Sequence, residues 1–282
     1  MFRPRNLRKV RVSLKGCVLH RAHVRTALSI AGSDSGGGAG IQADLKSFAS
    51  IGVHGTSVVT CVTAQNTRSV DSIFPIPAAE IRKQLKAVLT DFDVRAAKTG
   101  MLFSAEIVRT VAQELRGTRF PLVVDPVMVA TVGARLEQDD FQKALIDRLL
   151  DRASLVTPNR HEAERLSGLP IGSVDSMEAA ARAIRRLGAE AVLVKGGHLT
   201  GPLVDVFFDG RRMLRLPGRR YRKSLHGAGC TLAASTAAYL ARGHPLLEAV
   251  RRARRKVDAG FRASYRAGHG VEIINSQIIP RT

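Results

Sequence analysis

The sequence predicts an α/β protein built on one central, mostly parallel sheet with helices on both faces. Three observations predict it. From residue 26 onward, apolar runs of strand length alternate with stretches of helical period, joined by a few residues, which is the pattern of successive βαβ units. No internal repeat, low-complexity tract or long linker interrupts the alternation, so residues 26–282 are expected to form one domain. Asp34, Gln65, Lys98, Asp125, Asn159 and Lys195 fall at or just past the ends of the strand-like runs, where ligands bind in open α/β sheets.

The elements follow in order. "TALSIAGS" (26–33) is a short apolar run ending in glycine, a buried strand, and "DSGGGAG" (34–40) is a loop. Residues 41–52 carry apolar or small side chains at 41, 45, 48 and 49, the stripe of an amphipathic helix that Gly52 stops. "TSVVTCVTAQNT" (56–67) is a second strand and 78–92 a second helix. "AAKTGML" (96–102) is a strand end running into a loop. In the helix 104–116, Ser104 stands as the N-cap and Glu106 in the first turn. "FPLVVDPVM" (120–128) is a strand that ends on an acid, and a helix spans 138–150. Residues 153–168 read as strand, proline turn and helix; 176–188 as a helix; 189–198 as a strand. "LVDVFFDG" and "RRMLRLPG" form an antiparallel pair turning at Asp209-Gly210. A long helix of small residues (228–243) and a basic helix near 246–263 complete the pattern.

Composition bounds the function. The 282 residues suffice for one large α/β domain. A hydrophobic fraction of 45% is that of an ordinary soluble protein, and no apolar run nears the roughly 18 residues of a membrane helix. The three cysteines, at 17, 61 and 230, show no Cys-x-x-Cys spacing, which argues for free thiols in a reducing, cytoplasmic setting. The net charge of +20 is uneven: residues 1–25 hold eight Lys or Arg and no acid, and further clusters lie at 211–223 and 251–256. The 1–25 leader is expected to be disordered or a translation artefact, with a basic tail or an organellar presequence as the alternatives. It lacks the apolar stretch of a secretory signal. The internal clusters read as solvated faces. A nucleic-acid-binding module is disfavoured, because the chain has no Trp, three Tyr and no interleaving of basic and aromatic residues. Neither nucleic acid nor membrane is an expected partner.

The chemistry lies in short motifs. In "HGAGCTLAAS" (226–235), glycines let backbone N–H groups converge, and a helix starting there adds its positive end, a cradle for an anion. A thiol at such a place, Cys230, is expected to have a lowered pKa and to act as base or nucleophile; the alternative is a small buried hydrophobe. "GSDSGGGAG" is no Walker A loop, and its match to the dinucleotide fingerprint over 38–43 is weak, since the second strand ends in Gln65 where an acid is wanted. In "TPNRHEAE", Asn159 and Glu162 lie three apart on an opening helix turn, and Asp125 ends a neighbouring strand. Such oxygen donors suit Mg²⁺, although Glu162 equally fits plain compensation of the helix dipole. "VKGGH" offers Lys195 to a phosphate, or to solvent. Together these are the parts for phosphoryl transfer.

"AGSDSGGGAGIQADLKSF", "AQNT", "KTGML", "DPVM", "TPNRHEAE", "KGGH" and "HGAGCT" occur in this order over about residues 26–240. The set resembles the hydroxymethylpyrimidine/phosphomethylpyrimidine kinases of thiamine biosynthesis, in the ribokinase superfamily. The resemblance implies a three-layer α/β/α ribokinase-like fold, ATP with Mg²⁺ and a small-molecule substrate; a homo-oligomer, as a dimer, is the expected assembly, although sequence alone does not give the oligomeric state. It implies two phosphorylations, of 4-amino-5-hydroxymethyl-2-methylpyrimidine and then of its monophosphate. Cys230 would take the hydroxyl proton while the amides of Gly227, Ala228 and Gly229 hold the moving charge. Gln65 would bond the aminopyrimidine edge, with Asp44, Met101 and Gly32 lining that pocket. Asp125, Asn159 and Glu162 would serve Mg²⁺ and phosphates, and Lys195 the ATP phosphates. Pyridoxal kinases of the same branch are the nearest rival: they share "HGAGC" but lack "AQNT" and the lysine of "KGGH". "GHGVE" (268–272) departs from the family's "GHGxGP"-like segment, which leaves that end of the nucleotide site open.

Overall fold

The computed structural model describes residues 24–128, 133, 136–138, 140–197, 199, 201–221 and 223–279. Residues 1–23 of the leader and His198 of "KGGH" lie outside the described residues. The elements are β1 (Thr26–Asp34), α1 (Gly40–Ser50), β2 (His54–Gln65), β3 (Val70–Pro75), α2 (Ala78–Asp91), β4 (Val94–Thr99), α3 (Ala105–Glu114), β5 (Leu122–Val124), α4 (Phe141–Arg148), β6 (Leu155–Val156), α5 (Arg160–Ser167), α6 (Val174–Arg186), β7 (Val192–Val194), β8 (Leu203–Phe208), β9 (Met213–Gly218), α7 (Ala228–Ala241) and α8 (Leu246–Arg262).

One nine-stranded sheet runs β3-β2-β1-β4-β5-β6-β7-β8-β9. It is parallel from β2 to β7 and antiparallel at both edges. Successive strand residues point to opposite faces, so each central strand feeds two cores. Leu28 and Ile30 of β1, Leu122 and Val124 of β5, and Val192 and Val194 of β7 join the side chains of α2, α3, α4, α5 and α6. Ala27, Val123 and Leu193 join those of α1, α7 and α8 on the other face. The layers are thus helices, sheet, helices, as the alternation predicts. The chain passes from β1 to β2 on one side and returns, after β3 and α2, to place β4 on the other side of β1, and that reversal opens a crevice at the carboxyl ends of these strands.

The structure departs from the sequence reading in three places. β3 was not anticipated: Asp71 and Pro75 break its pattern, and it survives as an edge strand because β2 supplies the ladder, with Val62 opposite Phe74. Strands β5, β6 and β7 are short, because Pro126 and Pro158 follow two of them without an N–H to continue the pairing. The basic run 251–256 is not wholly a solvated face, for Lys256 is fully buried and Arg254 pairs with Asp205 at 2.8 Å.

Lys256 ties three parts of the chain together. Its Nζ donates to Ser50 Oγ at 2.7 Å, at the end of α1, and to the Ile278 carbonyl at 2.5 Å. Burial, with no carboxylate in reach, pushes its pKa down to about 8. Below about pH 8 the buried ammonium opposes folding. Between that pH and the 10.5 of a free lysine the unfolded chain holds the extra proton, so stability rises with pH in that window. Urea melts of the wild type and of Lys256→Met at about pH 7 and pH 10 should show the wild type gaining on the variant as pH rises. An unchanged difference would count against a depressed amine.

Helix α7 buries residues on all sides, with Ala233, Ala234, Ala237 and Ala238 fully enclosed. Small side chains let it lie close to the sheet between α1 and α8, so its N-terminus is fixed at the crevice. Among the described residues no helix is long and apolar enough to cross a membrane.

Candidate active site

A cavity of about 780 Å³ opens at the carboxyl ends of β1, β2, β4 and β5, beside the N-terminus of α7. Gly32, Gln65, Met101, Asp125, Asn159, Glu162, Lys195, Gly227, Ala228, Gly229 and Cys230 all line it. Asp44 does not. A second cavity of about 880 Å³ adjoins it through Leu203, Asp205 and Tyr221, and its far wall carries Arg219, Arg251 and Arg255.

Gly227 caps α7 with φ at +86°, and a Cβ there would lie 1.8 Å from the Gly38 carbonyl oxygen, so only glycine fits. No side chain caps this helix and no acid stands in its first turn, which leaves first-turn N–H groups for a ligand. A methyl on Gly229 would lie 3.5 Å from Lys195 Nζ and 3.6 Å from Asp125 Oδ2. The helix end, a cation and a carboxylate therefore meet at one spot, with Cys230 next in the chain.

The expected lowering of the Cys230 pKa is not found. Burial pushes the thiol up to about 11; Lys98 and the Gly40 N–H pull it back, while the Asp44 and Asp125 carboxylates add to the rise. The helix terminus that the sequence announces is present, but two acids from elsewhere in the fold crowd the same thiol.

Asp44 needs a second correction. It is fully buried beneath the cavity wall, where its Oδ2 accepts from Ser29 Oγ at 2.6 Å and from Lys98 Nζ at 2.8 Å. Its Oδ1 is buried without a hydrogen-bond partner. It faces the cavity only through Lys98, which lines the wall. Burial alone would neutralise that lysine, but Asp44, Cys230 and Asp125 outweigh it and hold it above the ordinary lysine range. The side chain from α1 reaches Lys98 before it reaches the cavity, so Asp44 stands behind Lys98 and is not among the residues that line the cavity.

Asp125 follows β5, Asn159 follows β6 and Lys195 follows β7. Lys195 Nζ donates to Asp125 Oδ1 at 3.1 Å and lies 3.9 Å from Glu162 Oε2; Thr157 Oγ1 donates to the same Asp125 oxygen at 3.0 Å. Asn159 and Glu162 form a capping box at the start of α5: the Asn159 side chain accepts from the Glu162 N–H at 3.0 Å, and the Glu162 carboxylate accepts from the Asn159 N–H at 2.7 Å. Burial pushes Glu162 up to about 7, with Lys195 pulling it down and Asp125 adding to the rise. Among the described residues no three of His, Cys, Asp and Glu converge on a metal site. Two facing carboxylates on the cavity wall still fit a hard cation that keeps its waters and shares phosphate oxygens.

The glycine loop 34–40 wraps its own aspartate. Asp34 accepts from the N–H groups of Gly36, Gly38 and Ala39 at 2.8, 3.0 and 2.8 Å, and its Oδ2 lies 2.8 Å from His226 Nε2. These amides are committed, which removes the pyrophosphate cradle that a dinucleotide reading needs. At the end of β2, the Gln65 carboxamide lies between Thr63 Oγ1 and His226 Nε2. Residues 265–274 pack here: Gly270 and Val271 donate to Thr67, and Ile274 donates to the His226 carbonyl. "GHGVE" thus abuts the Gln65 end of the cavity. Sequence reasoning quoted His226, Asp34 and Lys98 without assigning them a role; the histidine before the glycines of "HGAGC" was the available signal.

A family model described as phosphomethylpyrimidine kinase matches residues 34–275. The hydroxymethylpyrimidine/phosphomethylpyrimidine kinase of Rhizobium meliloti is 51% identical over 243 residues, covering 85% of this chain and 91% of that protein. The thiamine biosynthesis bifunctional protein of Geobacter sulfurreducens is 49% identical over 253 residues, 89% of this chain, which spans 52% of that longer protein. Among solved structures, the pyridoxal kinase of Staphylococcus aureus in complex with AMP-PCP and pyridoxal superposes with a TM-score of 0.82 at 35% identity, covering 90% of this chain and 94% of that one.

Proposed function

The chain belongs to the phosphomethylpyrimidine kinase family, and from that premise we infer that it is the ATP-dependent kinase of 4-amino-5-hydroxymethyl-2-methylpyrimidine and of its monophosphate, in thiamine diphosphate biosynthesis. The observation that carries the reading to this site is the convergence of the α7 terminus, Lys195 and Asp125 beside Cys230. Free N–H groups of α7 and the Lys195 ammonium stabilise charge on the transferring group, which is where most of the catalysis of such reactions lies. Cys230 meets the substrate hydroxyl and takes its proton as the thiolate, with Lys98 beside it offsetting part of the cost of that charge. Gln65 holds the ring edge, with Met101 and Gly32 beside it. Asp125 and Glu162, with Asn159 next to them, would hold magnesium, which when bound neutralises charge on the phosphates. The AMP-PCP complex of the Staphylococcus aureus protein supports ATP as donor.

The same likeness favours pyridoxal as a second acceptor, since it too carries a hydroxymethyl group on a nitrogen heterocycle. Incubation with Mg·ATP and each acceptor separately, followed by mass spectrometry, should give pyrimidine monophosphate and then diphosphate. Pyridoxal phosphate as the sole product would overturn the assignment. A cytoplasmic homodimer completes the proposal, in keeping with free thiols at Cys61 and Cys230; light scattering reads its mass.

A further inference from the structure

We propose that His226, held by Asp34, is a positioning residue that fixes which way round the Gln65 carboxamide lies and so orients the substrate ring; this rests on the pyrimidine kinase reading above. Asp34 accepts three loop N–H groups and faces His226 Nε2 at 2.8 Å, and those contacts outweigh burial and keep its carboxyl below the usual range. An ionised carboxylate only accepts, so the proton of that bond sits on His226 Nε2. His226 Nδ1 is buried with no hydrogen-bond partner. A proton there would be an orphaned buried donor, so the neutral ring with Nε2–H is the form that leaves no donor unmet.

The consequence falls on Gln65. Its Nε2 lies 3.3 Å from His226 Nε2 and its Oε1 3.2 Å from Thr63 Oγ1. With Nε2–H on the histidine, two donors would confront each other at the first contact. Thr63 Oγ1 already has the Ser33 carbonyl, at 2.9 Å, to take its own proton. Turning the carboxamide over removes the conflict: the oxygen takes the minor share of the single His226 Nε2–H that Asp34 holds at the shorter distance, and the NH₂ donates to Thr63 Oγ1. The two ends of an amide have the same shape, so the hydrogen-bond chain alone decides between them.

A fixed amide gives the cavity a donor and an acceptor in one order. The aminopyrimidine edge presents a ring nitrogen and an amine in one order too. They match in a single orientation of the ring, and that orientation decides on which side the neighbouring hydroxymethyl group lies. Pyridoxal has no such adjacent pair and gains nothing from the arrangement.

Two measurements test this. In the wild-type protein, long-range ¹H–¹⁵N correlation should find His226 protonated at Nε2 and bare at Nδ1. The opposite tautomer overturns the proposal, and the spectrum is readable whether or not the pyrimidine is turned over. Kinetically, His226→Leu and Gln65→Ala should each raise the pyrimidine KM about ten-fold, the scale of one lost hydrogen bond, with ATP KM unchanged. The double variant should lose no more than either single one, because the two act as a unit. His226→Gln, which keeps an N–H near the Nε2 position, should restore most of the affinity. Multiplicative losses in the double variant, or a rise in ATP KM as large as that for the pyrimidine, would reduce His226 to structural packing. Failure to phosphorylate pyrimidine at all strikes the functional reading instead.

Discussion

Replacing Cys230 with serine is expected to lower turnover by about 10²–10⁴-fold, the range of a lost general base, with ATP affinity nearly intact. The argument joins place and charge. Cys230 follows the amides of α7 and lines the cavity, so a hydroxyl brought to that helix end meets sulfur. Burial and two carboxylates hold the thiol at about 11, so little thiolate exists near neutrality. Wild-type turnover should therefore climb with pH as the thiolate fraction grows toward that value. The serine variant should show no such limb, because its hydroxyl does not ionise there. A serine enzyme that keeps wild-type turnover, or a flat wild-type profile, would refute the base role.

Lys98→Met should destabilise the fold by about 3–5 kcal/mol, the usual cost of stripping one partner from a buried ion pair. Asp44 would keep only Ser29 on Oδ2, and its Oδ1 already has no partner. Adding Asp44→Leu to Lys98→Met removes the stranded charge and should recover most of the loss, since an apolar replacement of both partners is often neutral. Denaturant midpoints of the three proteins measure this. The double variant should stay slow even when refolded, because the cation opposite Cys230 is gone. Equal instability of single and double variants would mean that packing, not charge, governs the site.

The layers of the fold were legible because they rest on local signals. Ser104 caps α3 by accepting from the Ile107 N–H at 3.3 Å, as its place in the sequence implies, and Asp209-Gly210 turns the β8–β9 pair. β3 was hidden because an edge strand of six residues draws its stability from β2, not from its own pattern. The cavity residues were legible as polar groups past strand ends, which topology alone gathers. What the chain order conceals is crowding between distant positions. Nothing near Cys230 in sequence announces Asp44 or Asp125, and nothing near Asp44 announces that Lys98 covers it. Asn159 and Glu162 illustrate a third case: their spacing suits both a helix cap and a phosphate site, and the capping box takes one oxygen of each side chain.

The contacts of residues 265–274 with Thr67 and with His226 also set a timetable. All nine strands precede this segment in the chain, so during synthesis the sheet can be complete while His226, which lines the acceptor end of the cavity, still lacks the segment that bonds its carbonyl. The parts that would meet ATP phosphates, at Lys195 and the start of α7, are already made by then. A nascent chain, or one nicked between α8 and residue 265, could thus hold nucleotide before it could discriminate among alcohols. Water would be the acceptor left to it, so idle ATP hydrolysis is the hazard of the interval before this segment packs.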